Sequence, residues 1–149
     1  MFKQILVPTD GSELSDNTVR KAIAFAKDAS AKLTFFNAMP ETPLPVTNLA
    51  YEGEFDPKMP ARFVEAAQKH AWEVLNRALD DARQAGVEAG AALDTSDLPW
   101  QAIIRAAEQR GSDLIFMASH GRSGFNALLM GSETHKVLTH CKIPVLVYR

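Results

Sequence analysis

The residues best suited to chemistry lie between Ala118 and Ser132, in the run Ala-Ser-His-Gly-Arg-Ser-Gly-Phe-Asn-Ala-Leu-Leu-Met-Gly-Ser. Upstream, Leu114–Ala118 is a short apolar run with the length of a buried strand; downstream, Glu133–His140 has helical character. A glycine-bearing loop between the carboxyl end of a strand and the start of a helix suits an anion. Glycines let the backbone approach a phosphate, and the first helical turn adds unpaired N–H donors and the positive end of its dipole. Ser132 offers a hydroxyl for N-capping or for phosphate contact. The plainer alternative is a tight strand-to-helix turn capped by Ser132.

A second chemistry-bearing segment, Pro8-Thr9-Asp10-Gly11-Ser12, follows the first apolar run. In open parallel sheets, ligands bind outside the carboxyl ends of the strands where the strand order reverses. Asp10 placed there could meet a ribose hydroxyl, a base amine or a metal ion; its alternative role is a turn or capping aspartate. A mononucleotide needs contacts for base and phosphates, and two rim segments supply both.

The remaining elements must hold these two loops together. Gln4–Pro8 reads as strand one. Leu14, Thr18, Val19, Ala22, Ile23 and Ala26 recur at helical spacing behind a cap at Ser12. Leu33–Phe36 reads as strand two. Val64, Ala67, Ala71, Val74, Leu75, Ala78 and Ala82 mark a long amphipathic helix ending at Gly86. Val87–Leu93 is a small-residue strand suited to a sheet edge. Pro99 opens a third helix with Asp97 as its cap and Trp100, Ile103, Ile104 and Ala107 inward; Gly111 ends it. Leu114–Ala118 is strand four, a fourth helix starts near Ser132, and Val145–Tyr148 is strand five. This alternation predicts a single-domain, doubly wound α/β fold over residues 1–149, a parallel sheet with helices on both faces. Residues 39–60 break the rhythm. They hold five of the eight prolines, with Tyr51 and four acidic residues, and read as a flap over the rim or a solvated insertion.

Composition excludes several classes. The chain has 149 residues, enough for one core, and a net charge of −2 gives no electrostatic reason to expect nucleic-acid binding. No apolar run approaches the roughly 20 residues that cross a bilayer. A single cysteine, Cys141, allows no internal disulfide and suits the cytoplasm. His70, His120, His135 and His140 lack metal-ligand spacing, so no metal site is expected and solvated or capping roles are. Met117, Met130 and Phe35-Phe36 read as core packing. Asp10, His120 and Ser132 are the residue types of a hydrolase, but no nucleophile motif accompanies them, so no catalytic residue is assigned and at most slow hydrolysis of a bound nucleotide is expected.

Several segments together resemble the universal stress protein family: Ile5-Leu-Val-Pro-Thr-Asp-Gly-Ser12, Ser112-Asp-Leu-Ile-Phe-Met-Ala-Ser-His-Gly121, Leu129-Met-Gly-Ser132 and Ile143-Pro-Val-Leu-Val147. The family's nucleotide signature (glycine, two residues, glycine, nine residues, glycine, serine or threonine) falls on Ala118, Gly121, Gly131 and Ser132, so three of four positions match. Ala118 departs from it, at no cost if its φ is negative and about 1 kcal/mol if positive. Glu133 adds a carboxylate beside the expected phosphate site.

The resemblance implies a five-stranded parallel sheet in the order 3-2-1-4-5 and a homodimer through strand five, whose apolar edge at Val145–Tyr148 invites self-pairing. It also implies a stress-response regulatory protein binding an adenine nucleotide, ATP, with or without Mg²⁺. Carried over by position, Pro8, Thr9, Asp10, Ala38 and Met117 would meet adenine and ribose. Gly121, Gly131 and Ser132 would meet the phosphates beside His120, with Arg122 and Gly124 in the nine-residue interval. The alternative is a partner-binding stress module with an empty or vestigial pocket.

Overall fold

The computed structural model describes residues 1–41, 59–120 and 130–149. The elements run β1 (Gln4–Pro8), α1 (Glu13–Ala29), β2 (Lys32–Met39), α2 (Met59–Gln84), β3 (Ala89–Thr95), α3 (Pro99–Gln109), β4 (Leu114–Ala118), α4 (Ser132–His140) and β5 (Val145–Tyr148). The strands form one sheet in the order β3-β2-β1-β4-β5, and each neighbouring pair is parallel. The chain winds outward from β1 to β3 and then crosses back to place β4 beside β1. The reversal therefore lies between β1 and β4, where the carboxyl ends open a crevice.

Side-chain alternation along the central strands divides the interior in two. Ile5, Val7, Leu33, Phe35, Leu114 and Phe116 face α1 and α2, packing on Val19, Ile23, Leu75 and Ala78. Leu6, Phe36, Ile115 and Met117 face the other way, against Ala102, Ile103 and Ala107 of α3 and Val137 of α4. Burial of each large apolar side chain stabilises the fold by about 1.5–3 kcal/mol, and these strands are apolar on both sides because both sides are covered.

The sheet's two margins differ. β3 carries Gly90, Asp94 and several half-exposed alanines, and an ion pair between Lys32 and Glu88 (2.8 Å) lies just before it. β5 is four apolar or aromatic residues, all half-buried.

Local chemistry explains most element boundaries. Ser12 caps α1 with its hydroxyl accepting from the Ser15 N–H at 3.3 Å. The Asp113 carboxylate accepts from the N–H groups of Lys3 and Gln4 at 2.8 and 3.0 Å, fixing the start of β1 against the turn before β4.

Four expectations need correction. β2 runs on to Met39 rather than stopping at Phe36, because Asn37, Ala38 and Met39 keep pairing with Leu93, Asp94 and Thr95. That pairing also moves β3 two residues later than its apolar pattern suggested. Asp97 does not cap α3: the cap position is Leu98, with no side-chain cap bond, and Asp97 Oδ1 instead accepts from the Glu41 N–H at 2.9 Å. Met130 is 40% exposed rather than in the core. Most of the proline-rich segment, residues 42–58, lies outside the described residues.

Candidate nucleotide site

The crevice at the β1/β4 reversal is a cavity of about 450 Å³, within the 300–1,000 Å³ usual for small-molecule sites. β1 and its loop contribute Pro8, Thr9 and Asp10; β2 contributes Phe36, Asn37 and Ala38; β4 and the following residues contribute Met117, Ala118 and His120. The start of α4 adds Gly131, Ser132, Glu133 and Thr134, α3 adds Pro99 and Ile103, and α1 adds Ser15. Nine predicted site residues are thereby brought together: Pro8, Thr9, Asp10, Ala38, Met117, Ala118, His120, Gly131 and Ser132. Gly121, Arg122 and Gly124 lie outside the described residues.

The β1 end of the cavity is rigidly held. The Thr9 N–H donates to the Phe36 carbonyl at 2.8 Å, its carbonyl accepts from Asn37 Nδ2 at 2.9 Å, and its hydroxyl bonds with Ser15 Oγ at 2.7 Å. Ser15 Oγ also accepts from the Asp10 N–H at 3.1 Å. Thr9 is therefore a fixed wall whose polar groups are already engaged. Asp10 Oδ1 accepts from the Ser12 N–H at 2.9 Å, closing a side-chain turn that sets the carboxylate at the rim. The capping role and the rim position thus coexist in one residue.

The β4 end depends on a close backbone approach. Gly131 has φ −60°, which any residue tolerates. A Cβ there would lie 3.0 Å from His120 Cα and 3.2 Å from the Ser119 carbonyl oxygen, while the Gly131 N–H donates to that same carbonyl at 2.7 Å. Glycine is favoured here by the tightness of the approach, not by conformation. Ala118 is not strained: Ser30 is the one non-glycine residue with positive φ among the described residues. The Ala118 carbonyl accepts from Thr134 Oγ1 at 2.9 Å, pinning α4 to β4.

The cap position of α4 is Gly131, so Ser132 is its first helical residue rather than its cap, and among the described residues no side chain caps its first turn. Ser132, Glu133 and Thr134 of that first turn line the cavity, an arrangement that suits an anion.

Glu133, which also lines the cavity, reaches across to α3. Its Oε2 accepts from the Trp100 N–H of α3 at 2.9 Å, and Oε1 lies 3.5 Å from Lys136 Nζ. Trp100 in turn packs against the His140 ring at 4.6 Å between centroids. His140 Nδ1 lies 2.8 Å from the Lys136 carbonyl, at the carboxyl end of α4, and His120 Nδ1 lies 3.2 Å from Ser119 Oγ.

Sequence reasoning did not assign Ser15, Phe36, Asn37, Pro99, Ile103 and Thr134 to the cavity. Phe36 was within reach, since strand alternation puts it on the face of Ala38. Pro99, Ile103 and Thr134 arrive only through the crossovers.

A family model described as the universal stress protein family matches residues 1–149. The chain belongs to that family. Universal stress protein YxiE of Bacillus subtilis is 29% identical, with both chains covered in full. The structure of universal stress protein UspA from Lactobacillus plantarum superimposes with a TM-score of 0.79 at 21% identity, covering 99% of this chain and 97% of that one. A universal stress protein from Archaeoglobus fulgidus, solved in complex with dAMP, matches with a TM-score of 0.69 at 18% identity, covering 99% and 98%.

Proposed function

We propose that this universal stress protein is a regulatory binder of an adenine nucleotide, ATP, held in the cavity at the carboxyl ends of β1 and β4. The observation that carries this reading is the convergence of the Asp10 rim, the apolar Ala38–Met117 wall and the uncapped first turn of α4 on one cavity of about 450 Å³. The apolar wall suits a purine, Asp10 suits ribose hydroxyls, and the α4 amides suit a phosphate. The dAMP complex of a relative with the same fold supports an adenine ligand.

The site is suited to binding more than to turnover. Asp10 Oδ1 holds the Ser12 amide and His120 Nδ1 lies beside Ser119 Oγ, so both side chains have structural bonds at the rim; we expect hydrolysis to be at most slow. We further propose a homodimer through β5, whose outer edge has no partner strand among the described residues, and a cytoplasmic protein. No described helix is long and apolar enough to cross a membrane.

The test is direct. Protein purified and then denatured should release an adenine nucleotide, and calorimetry should give ATP or AMP affinity below millimolar. Absence of both outcomes would establish the alternative, a partner-binding module with a vestigial pocket. Sedimentation should show a dimer that Val147→Lys converts to monomer; a monomeric wild type removes the β5 interface.

A further inference from the structure

Two helix starts face this cavity, and they are not equivalent. α3 begins with Pro99, which has no N–H. The next amide, Trp100, is engaged by Glu133 Oε2 at 2.9 Å, and the Gln101 and Ala102 amides turn back to the Leu98 carbonyl at 3.0 and 3.2 Å. The first turn of α3 therefore has no amide left for a ligand. α4, by contrast, has no side-chain cap among the described residues. Any phosphate is directed to α4, next to the carboxylate that closes α3. Glu133 itself lines the cavity, and Lys136 answers only one of its oxygens, at 3.5 Å.

We propose that Glu133 is a specificity-determining residue, a fixed negative charge that makes the site discriminate among adenine ligands by phosphate charge. This rests on the nucleotide reading given above. The Trp100 amide holds the carboxylate in place, and swinging away from an anion would cost that bond. Its repulsion grows with each added phosphate charge and is weakened by salt or by a bound cation. The site thus favours a monophosphate or a charge-neutralised triphosphate over metal-free ATP.

Glu133→Gln tests this, because the glutamine carbonyl can still accept the Trp100 N–H while the charge is gone. Calorimetry in EDTA at low salt would compare adenosine, AMP and ATP on both proteins. Adenosine affinity should stay within about twofold, AMP should gain roughly threefold, and ATP about tenfold or more. The ATP gain should shrink on adding Mg²⁺ or on raising salt to about 0.5 M. Glu133→Asp, which keeps the charge but shortens the reach to Trp100, should leave ATP weak.

Equal changes for all three ligands, or an ATP gain as large in Glu133→Asp, would show that Glu133 only braces α3 and would overturn the filter. So would adenosine and AMP binding normally while metal-free ATP is unaffected by Glu133→Gln. If no adenine ligand binds either protein at millimolar concentration, the nucleotide reading itself fails and the filter with it.

Discussion

The two faces of the sheet are built from the same strands, yet one is covered by two long helices and the other by two short ones that leave a cavity at the strands' carboxyl ends. On the α1/α2 face, helices of 17 and 26 residues cover the strands and bury Phe35 and Leu75 completely. On the other face, α3 and α4 are 11 and 9 residues long. They cover Leu6 and Ile115 but leave Met117 and Phe36 forming the floor of the cavity. Stability is concentrated on the longer-helix side and ligand chemistry on the shorter. A binding crevice here is the part of a core that its helices are too short to fill.

The largest expected effect tests that division. Phe35→Ala should destabilise by about 3–5 kcal/mol in urea titrations, leaving nucleotide affinity per folded molecule unchanged. Met117→Ala on the opposite face should cost about 2 kcal/mol, because its neighbourhood is already open, and should weaken ligand binding. Equal stability losses for the two would erase the contrast.

Two glycines sharpen it at the next level. Gly11 has φ +76°, and an added Cβ would lie 2.7 Å from Val74 Cγ2 of α2, so Gly11→Ala should cost about 1–3 kcal/mol through strain and crowding. Gly131→Ala meets His120 backbone instead. It should cost about 1–3 kcal/mol as well but also displace α4 and reduce nucleotide affinity about tenfold or more. Thermal denaturation and calorimetry on both variants separate the outcomes.

A smaller effect concerns pH. Arg105 donates to the Asp94 carboxylate at 2.7 Å, joining α3 to β3 and holding the Asp94 pKa below its ordinary 3.8. Because the folded pKa is the lower one, the stabilisation is present above about pH 4 and is lost as pH falls through the folded value. Both side chains are substantially exposed, so Asp94→Asn should cost only about 0.2–1 kcal/mol at pH 7. The gap to wild type in urea midpoints should narrow as pH falls below about 4, and a gap that stays constant with falling pH would assign the loss to packing.

What the sequence disclosed follows the physics of burial. β1, β4 and β5 appear as apolar runs because both their sides are covered or paired, and their bounds can be read directly. β2 hides its last three residues because Asn37 and Ala38 carry no apolar signal, although they pair with β3 and line the cavity. Ser12 was readable as a cap since its partner, Ser15, is three residues away. The α3 start was not, since the Trp100 amide is met by Glu133, 33 residues later. Local patterns reveal local bonds; the crossovers decide the rest. The same limit explains Ser132, whose type suggests a cap while Gly131 takes that position.

The unlike margins of the sheet have a consequence for size. A strand ladder can lengthen without end only if both of its borders accept a newcomer. The β3 border, with Gly90 and Asp94 and the Lys32–Glu88 pair beside it, offers poor adhesion, whereas the apolar β5 border offers good adhesion. If copies meet through β5 as proposed, growth from that one border would halt once two copies have met, and the asymmetry would disfavour fibres.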